Sequence, residues 1–254
     1  MSERETIIRL RGVKKAFGDQ QVLRGVDLDI YRGESLVVIG PSGCGKSVLL
    51  KHLIGLIKPD EGSVLIDGRD LTSMKGESLY EVRKRFGMLF QGSALFDSLT
   101  VAENVGLGLV EHTKMSAKGI EERVRERLHM VGLEGSMEKK PSDLSGGMRK
   151  RVGLARAIAM DPEIILYDEP TTGLDPIMAD VINVLIRTLQ EKLKATSITV
   201  THDMVSASKV GDRIAMLHLG EIIFEGTVGE TWDTDNPIVQ QFVRGEAEGP
   251  IQAV

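Results

Sequence analysis

Apolar and polar residues alternate through Ile8-Arg9-Leu10-Arg11 and again through Val26-Asp27-Leu28-Asp29-Ile30, the period of two that gives a strand one buried and one wet face. Two such strands close together in the chain predict an antiparallel pair. Ser35-Leu36-Val37-Val38-Ile39 is instead apolar almost throughout and runs into a glycine-rich turn, after which Ser47 to Ile57 has helical spacing. The pattern reads as a buried strand, a loop and a helix. Val64-Leu65-Ile66, bracketed by turn residues between Asp60 and Gly68, predicts a further strand, and Arg85 to Gln91 predicts another.

The period then changes. From Val101 to about Met160 the spacing is helical, with Ile120, Val124, Leu128 and Val131 on one face and Glu121 four residues before Arg125, placed for an ion pair. A helical subdomain at about 92–160 is expected. Glu163-Ile164-Ile165-Leu166-Tyr167-Asp168 restores a buried strand, Ile177 to Lys194 predicts a helix, and Ser197 to Thr201 predicts a strand. Strands alternating with helices imply an α/β fold with a mostly parallel sheet, whose ligands bind beyond the carboxyl ends of the strands. The early strands add an amino-terminal antiparallel β subdomain. Residues 1–244 are expected to form a single domain, followed by a polar tail at 245–254 that is mobile or dependent on a partner.

With 254 residues, 41% hydrophobic and 27% charged, the chain can fold by burial alone. Its 32 basic and 37 acidic residues leave a net charge of −5, which argues against the global positive field of a nonspecific nucleic-acid binder. The lone Cys44 excludes an internal disulfide and fits a reducing compartment. The first five residues do not look like a secretion signal, and no apolar run approaches the ~20 residues of a membrane-spanning helix. Any membrane role is therefore expected to act through a partner.

Gly40-Pro41-Ser42-Gly43-Cys44-Gly45-Lys46-Ser47 fits G-x-x-x-x-G-K-[ST] and stands between a predicted strand and a predicted helix. Glycines in that context let backbone N–H groups surround phosphate oxygens, and the helix start adds its positive dipole end. Lys46 can neutralise the β and γ phosphates, and the Ser47 hydroxyl can bind magnesium. Cys44 reads either as a small residue filling the loop or as a redox switch. Asp168 and Glu169 end a buried strand where the sheet rule puts ligands; Asp168 can hold magnesium and Glu169 can act as general base. Leu144-Ser145-Gly146-Gly147-Met148 precedes a helix-like segment, so its N–H groups and the Ser145 hydroxyl serve either as a plain cap or as an anion site.

Taken in order, the phosphate loop, Gln91, Leu144 to Met148, Tyr167-Asp168-Glu169, Thr172-Gly173-Leu174-Asp175 and His202 closely resemble the motifs of an ABC ATPase, over nearly the whole chain. The resemblance implies a P-loop NTPase core of the ABC ATPase fold and further roles for matching residues. Phe17 stacks on adenine, or else is ordinary core. Val48 follows Ser47 in the phosphate-binding segment. Gln91 touches magnesium or the attacking water, and His202 senses the γ-phosphate. Two copies pair head to tail around ATP and Mg2+, so that Ser145, Gly146 and Gly147 of one chain complete the site of the other, and Asp175 lies in the loop that joins the two sites.

A narrower resemblance, to the ATPases of maintenance-of-lipid-asymmetry (Mla) transporters, is carried by Glu81 to Arg85, Gly87 to Phe96, Leu144 to Arg151, and more weakly by Phe242 and Gly245 to Pro250. It implies a permease dimer, an MCE-domain lipid-binding protein, a small STAS-domain protein, and phospholipid as cargo. The chain would then sit peripherally on the cytoplasmic face of a bacterial inner membrane, with no nucleic-acid partner. Ala94, Leu95 and Phe96 read either as a socket for a permease helix or as subdomain core. The alternatives are transport of another solute, or a soluble ABC ATPase acting on nucleic acid or ribosomes.

Overall fold

The computed structural model describes residues 5–252; the outermost residues of the predicted domain and the last two of the predicted tail lie outside them. The chain forms two compact units, 1–83 with 198–254 and 84–197.

The first unit opens with β1 (Thr6–Phe17) and β2 (Gln20–Tyr31), antiparallel as the alternation predicts but more than twice as long as the periodic stretches. Register shifts hide the extension: one lies between Leu10 and Val13, where Gly12 takes a left-handed φ of 57°, the mark of a bulge. β3 (Ser35–Ile39) follows, buried at every position, and leads to α1 (Lys46–Leu53). This helix stops short of the expected Ile57 because Gly55 turns left-handed at φ 67°. β4 (Glu61–Ile66) and β5 (Arg69–Asp70) complete a sheet of order β2-β1-β4-β5, and α2 (Glu77–Arg83) ends the segment.

The second unit begins with β6 (Phe86–Leu89). Helices α3 (Val101–His112), α4 (Ala117–Met130) and α5 (Gly146–Ala157) realise the predicted helical stretch. Val124, Leu128 and Val131 are at most 2% exposed, and Glu121 pairs with Arg125 at 2.8 Å. A capping box of Thr100 and Glu103 starts α3. β7 (Ile164–Asp168) lies parallel beside β6, and α6 (Pro176–Leu193) follows it.

At β8 (Thr196–Thr201) the chain returns to the first unit. There α7 (Met204–Val210), β9 (Arg213–His218) and β10 (Glu221–Thr227) follow, with strand order β10-β9-β3-β8. β3 and β9 are parallel. The β9–β10 hairpin is absent from the pattern reading because its turn is Leu219-Gly220, with φ 48° and 83°, rather than a recognisable Asn-Gly. Arg213 ties β9 to other parts of this unit: it donates to Glu34 at 2.8 Å and to Glu225 and the Asp29 carbonyl, and stacks 5.0 Å from the Tyr31 ring centre.

Helices α8 (Val228–Asp233) and α9 (Pro237–Arg244) close the chain. The polar tail, expected to be mobile or dependent on a partner, lies against α9 over part of its described length. The buried Gln241 amide donates to the carbonyls of Glu246 and Ile251 at 3.2 and 3.0 Å and accepts from the Ile251 N–H at 2.6 Å.

His52 on α1 gives the first unit a pH dependence. It is 1% exposed; its Nδ1–H donates to the Val48 carbonyl at 2.7 Å, and Nε2 is buried without a hydrogen-bond partner. Burial holds its pKa below the ordinary 6.5. The unfolded chain therefore takes up a proton near pH 6.5 that the folded chain refuses, so stability declines as pH falls below that value. Urea midpoints measured between pH 7 and about pH 5 should fall more steeply for the native chain than for His52→Gln, with equal slopes counting against this assignment.

Candidate functional site

Three glycines shape the loop after β3. Gly40, Gly43 and Gly45 have φ of 153°, 79° and 108°, conformations that side-chain-bearing residues rarely adopt. A Cβ on Gly40 would also lie 2.2 Å from the Leu217 carbonyl oxygen and 2.9 Å from Cys44 Sγ. The thiol thus fills the inside of the loop. Gly45 is the N-cap of α1, brings no capping side chain, and is followed by no acidic residue in the first turn. The positive end of the helix is therefore not masked by a carboxylate.

Lys46 is only 6% exposed, and its ammonium folds back over the loop to the carbonyls of Gly40 at 2.8 Å and Pro41 at 3.0 Å. Ser42 and Gly43 are exposed at the rim, while Pro41, Cys44, Ser47 and Val48 are half-buried. In the same unit Phe17 ends β1 at 48% exposure, with the Lys15 ammonium 5.6 Å from its ring centre. The reading of Phe17 as core is overturned. His202 is exposed just past β8, the strand next to β3, and Asp203 caps α7 beyond it.

The second unit holds the carboxylates. Every residue of β7 is buried, and the strand delivers Asp168 at 7% and Glu169 at 8% exposure. Glu169 adopts φ 47°, a left-handed conformation costing of order 1–3 kcal/mol in a residue with a Cβ. Thr172 steadies it, donating its hydroxyl to Glu169 Oε2 at 3.1 Å. An ordinary strand ending in exposed acids has neither the burial nor the strain.

Gln91 emerges from β6 into solvent. Beyond it, Phe96 is 53% exposed, Leu95 is half-buried and Ala94 exposed, so these residues are surface rather than core. The fully buried Asn104 of α3 fixes this stretch, accepting from the Phe96 N–H at 2.8 Å and donating to the Phe96 and Thr100 carbonyls.

Ser145 is the N-cap of α5, its Oγ accepting from the Met148 N–H at 3.3 Å. Gly146 and Gly147 form the first turn, and a Cβ on Gly147 would meet Met178 Cε at 2.4 Å, so glycine here lets α5 lie against α6. Asp175 is likewise a cap, accepting from the N–H groups of Ile177 and Met178 at 3.0 and 3.1 Å.

Each unit therefore gathers its own set: Phe17, the 40–48 loop and His202 in the first; Gln91, Ser145, Gly146, Gly147, Asp168, Glu169 and Asp175 in the second. Two contributors escaped the sequence reading. Lys150 donates from inside the unit to the carbonyls of Gln91 and Glu169 at 2.5 and 3.2 Å, and Arg156 to those of Ser93 and Ala94, both at 2.6 Å. Lys150 stands in a run of three cations, Arg149-Lys150-Arg151, and only helical phase separates it from its neighbours.

The ABC transporter family model matches residues 23–172. The probable ribonucleotide transport ATP-binding protein mkl of Mycobacterium leprae is 45% identical over 96% of this chain and 70% of its own length. The intermembrane phospholipid transport system ATP-binding protein MlaF of Haemophilus influenzae is 40% identical over 98% of this chain and 94% of its own. A dimeric ATP-binding cassette solved in a post-hydrolysis state with ADP and Pi superposes at a TM-score of 0.80, with 37% identity, covering 87% of this chain and 99% of that one. With a strand, glycine loop and helix at 35–53, a strained buried carboxylate after β7, and end-to-end relatives of this kind, the chain belongs to the ABC transporter family as an ATP-hydrolysing subunit.

Proposed function

We propose that this ATPase energises the movement of phospholipid between the inner and outer membranes of a Gram-negative bacterium, acting on the cytoplasmic face of the inner membrane through an integral permease. The observation that carries this reading is the similarity to the phospholipid-transport ATP-binding protein, which extends over nearly the full length of both chains. Among the described residues no helix is long and apolar enough to cross a membrane, in keeping with a membrane partner. The family model, over residues 23–172, runs through parts of both units, and residues 1–244 are read as one functional domain.

In the first unit, the Gly40 to Val48 loop wraps the phosphates, its N–H groups donating at every position but Pro41, Lys46 exchanges its loop carbonyls for phosphate oxygens, Phe17 offers its exposed ring to adenine, and His202 meets the γ-phosphate. In the second, Glu169 takes the proton from the attacking water, and Gln91 orients that water. Mg2+ is a hard cation that accepts one or two carboxylates, hydroxyls and substrate phosphates as ligands. Ser47, Asp168 and Gln91 are oxygen donors of that kind; the buried, strand-fixed carboxylate of Asp168 fits best. When bound, the ion neutralises charge on the phosphates.

Ser145, Gly146, Gly147 and Asp175 are read as facing a second copy, so that ATP closes a head-to-tail dimer and hydrolysis releases it. Further partners on this reading are an MCE-domain lipid-binding protein and a small STAS-domain protein. The test is to tag the chain, extract it gently from membranes, and identify what accompanies it by mass spectrometry. A permease, an MCE-domain protein and phospholipid are the expected companions. A permease with a different class of cargo would favour the reading attached to the mkl-like relative, and ribosomes or DNA without membrane protein would refute transport.

A further inference from the structure

Helix α5 does more than begin with the Ser145-Gly146-Gly147 turn. Its inner face, Lys150, Gly153 and Arg156, grips the segment that follows β6. Gly153 allows the closest approach: a Cβ there would stand 2.6 Å from Leu89 Cδ1 and 3.5 Å from Ser93 Cβ. Arg156 donates to the carbonyls of Ser93 and Ala94, both at 2.6 Å; these two residues hold left-handed φ of 62° and 46°. Lys150 alone in this set reaches past the segment. Its ammonium lies 2.5 Å from the Gln91 carbonyl and 3.2 Å from the Glu169 carbonyl, and the residue is 5% exposed.

A buried ammonium is costly, and an apolar side chain of the same length would fill the space without that cost. What the cation adds is a charge-assisted bond to each of two backbone groups, belonging to the two residues read as water-orienting and proton-accepting. Burial lowers the Lys150 pKa, and the charges of Asp168 and Glu169 oppose that shift. Glu169 meanwhile sits in a strained conformation that its surroundings must hold.

We propose that Lys150 is a positioning residue for hydrolysis, fixing the backbone of Gln91 and Glu169 to helix α5. This rests on the roles proposed above for Gln91 and Glu169. It also gives the exposed Ala94-Leu95-Phe96 surface a rigid link to the carboxylate within the same unit, through Arg156 and Lys150 on one helix.

The test compares ATPase kinetics of the tagged complex, purified with its membrane partners, for Lys150→Met, Lys150→Arg and Glu169→Gln. Lys150→Met should lower kcat roughly 10- to 100-fold with the KM for ATP within about threefold, because the lost interaction serves the transition state rather than binding. Lys150→Arg, which can still donate to both carbonyls, should recover most of the rate. Combined with Glu169→Gln, Lys150→Met should add little, since residues acting as a unit are not additive. Should Lys150→Met fail to fold, Lys150→Gln, which keeps one donor group, carries the same comparison. An unchanged kcat in folded protein, or a full Lys150 penalty on top of Glu169→Gln, would overturn the proposal. If Glu169→Gln itself leaves the rate intact, the fault lies in the role given to Glu169 instead.

Discussion

Glu169→Gln should reduce the rate of ATP hydrolysis by about 10²–10⁴ while leaving ATP binding in place, the range expected when a positioned general base is lost. The substitution keeps the shape of the side chain and its ability to accept from the Thr172 hydroxyl, now 3.1 Å from Oε2, but an amide cannot take a proton from water. The strained backbone at φ 47° is unaffected by the change of head group, so thermal stability should hold. In the dimer mechanism proposed for this chain, ATP that binds without being hydrolysed keeps two copies together. Size-exclusion chromatography with ATP should therefore show a persistent dimer for Glu169→Gln and a transient one for the native chain. A variant that hydrolyses ATP at the native rate would remove Glu169 from the role of base.

Lys46→Met should have the opposite signature, with binding itself lost. The ammonium is already desolvated and directed at the carbonyls of Gly40 and Pro41, so the cost of ordering it has been met before phosphate arrives. Charge-assisted hydrogen bonds contribute about 1.5–3 kcal/mol each. Losing two of them to phosphate oxygens should weaken ATP binding by roughly 10²–10⁴, measurable by calorimetry. The carbonyls left without their donor should also cost the fold about 1 kcal/mol, visible as a lower urea midpoint in the absence of nucleotide. Near-native ATP affinity would mean that the loop N–H groups and helix dipole suffice on their own.

The parts legible in the sequence are those where one local rule dominates. β3 and its loop could be read directly because an unbroken apolar run meets glycines at fixed spacing, and the glycines prove to be needed for left-handed φ and close approach at Gly40. The α6 helix could be read from period alone. What stayed hidden depends on phase and on distant neighbours. Arg149-Lys150-Arg151 looks uniformly basic, yet Arg149 donates to the Leu144 carbonyl at the start of its own helix, Arg151 to those of Val131 and Gly132, and Lys150 alone turns inward. The hairpin of β9 and β10 was masked by a turn whose first residue is a leucine at φ 48°. The strain on Glu169 is invisible in composition, since the same Asp-Glu pair could end any strand. Phe17 and Phe96 could be core or surface by pattern, and only the fold exposes them.

The most direct test of the account is ATP-driven phospholipid transfer. The chain and the membrane proteins that co-purify with it would be reconstituted into vesicles carrying fluorescent phospholipid, with unlabelled acceptor vesicles or isolated lipid-binding partner outside. Transfer that requires ATP, stops with Glu169→Gln and Lys46→Met, and proceeds with phospholipid in preference to water-soluble solutes is the predicted result. ATP hydrolysis at a normal rate by the same preparation, with no ATP-dependent movement of phospholipid, would contradict the lipid-transport reading while leaving the ATPase intact.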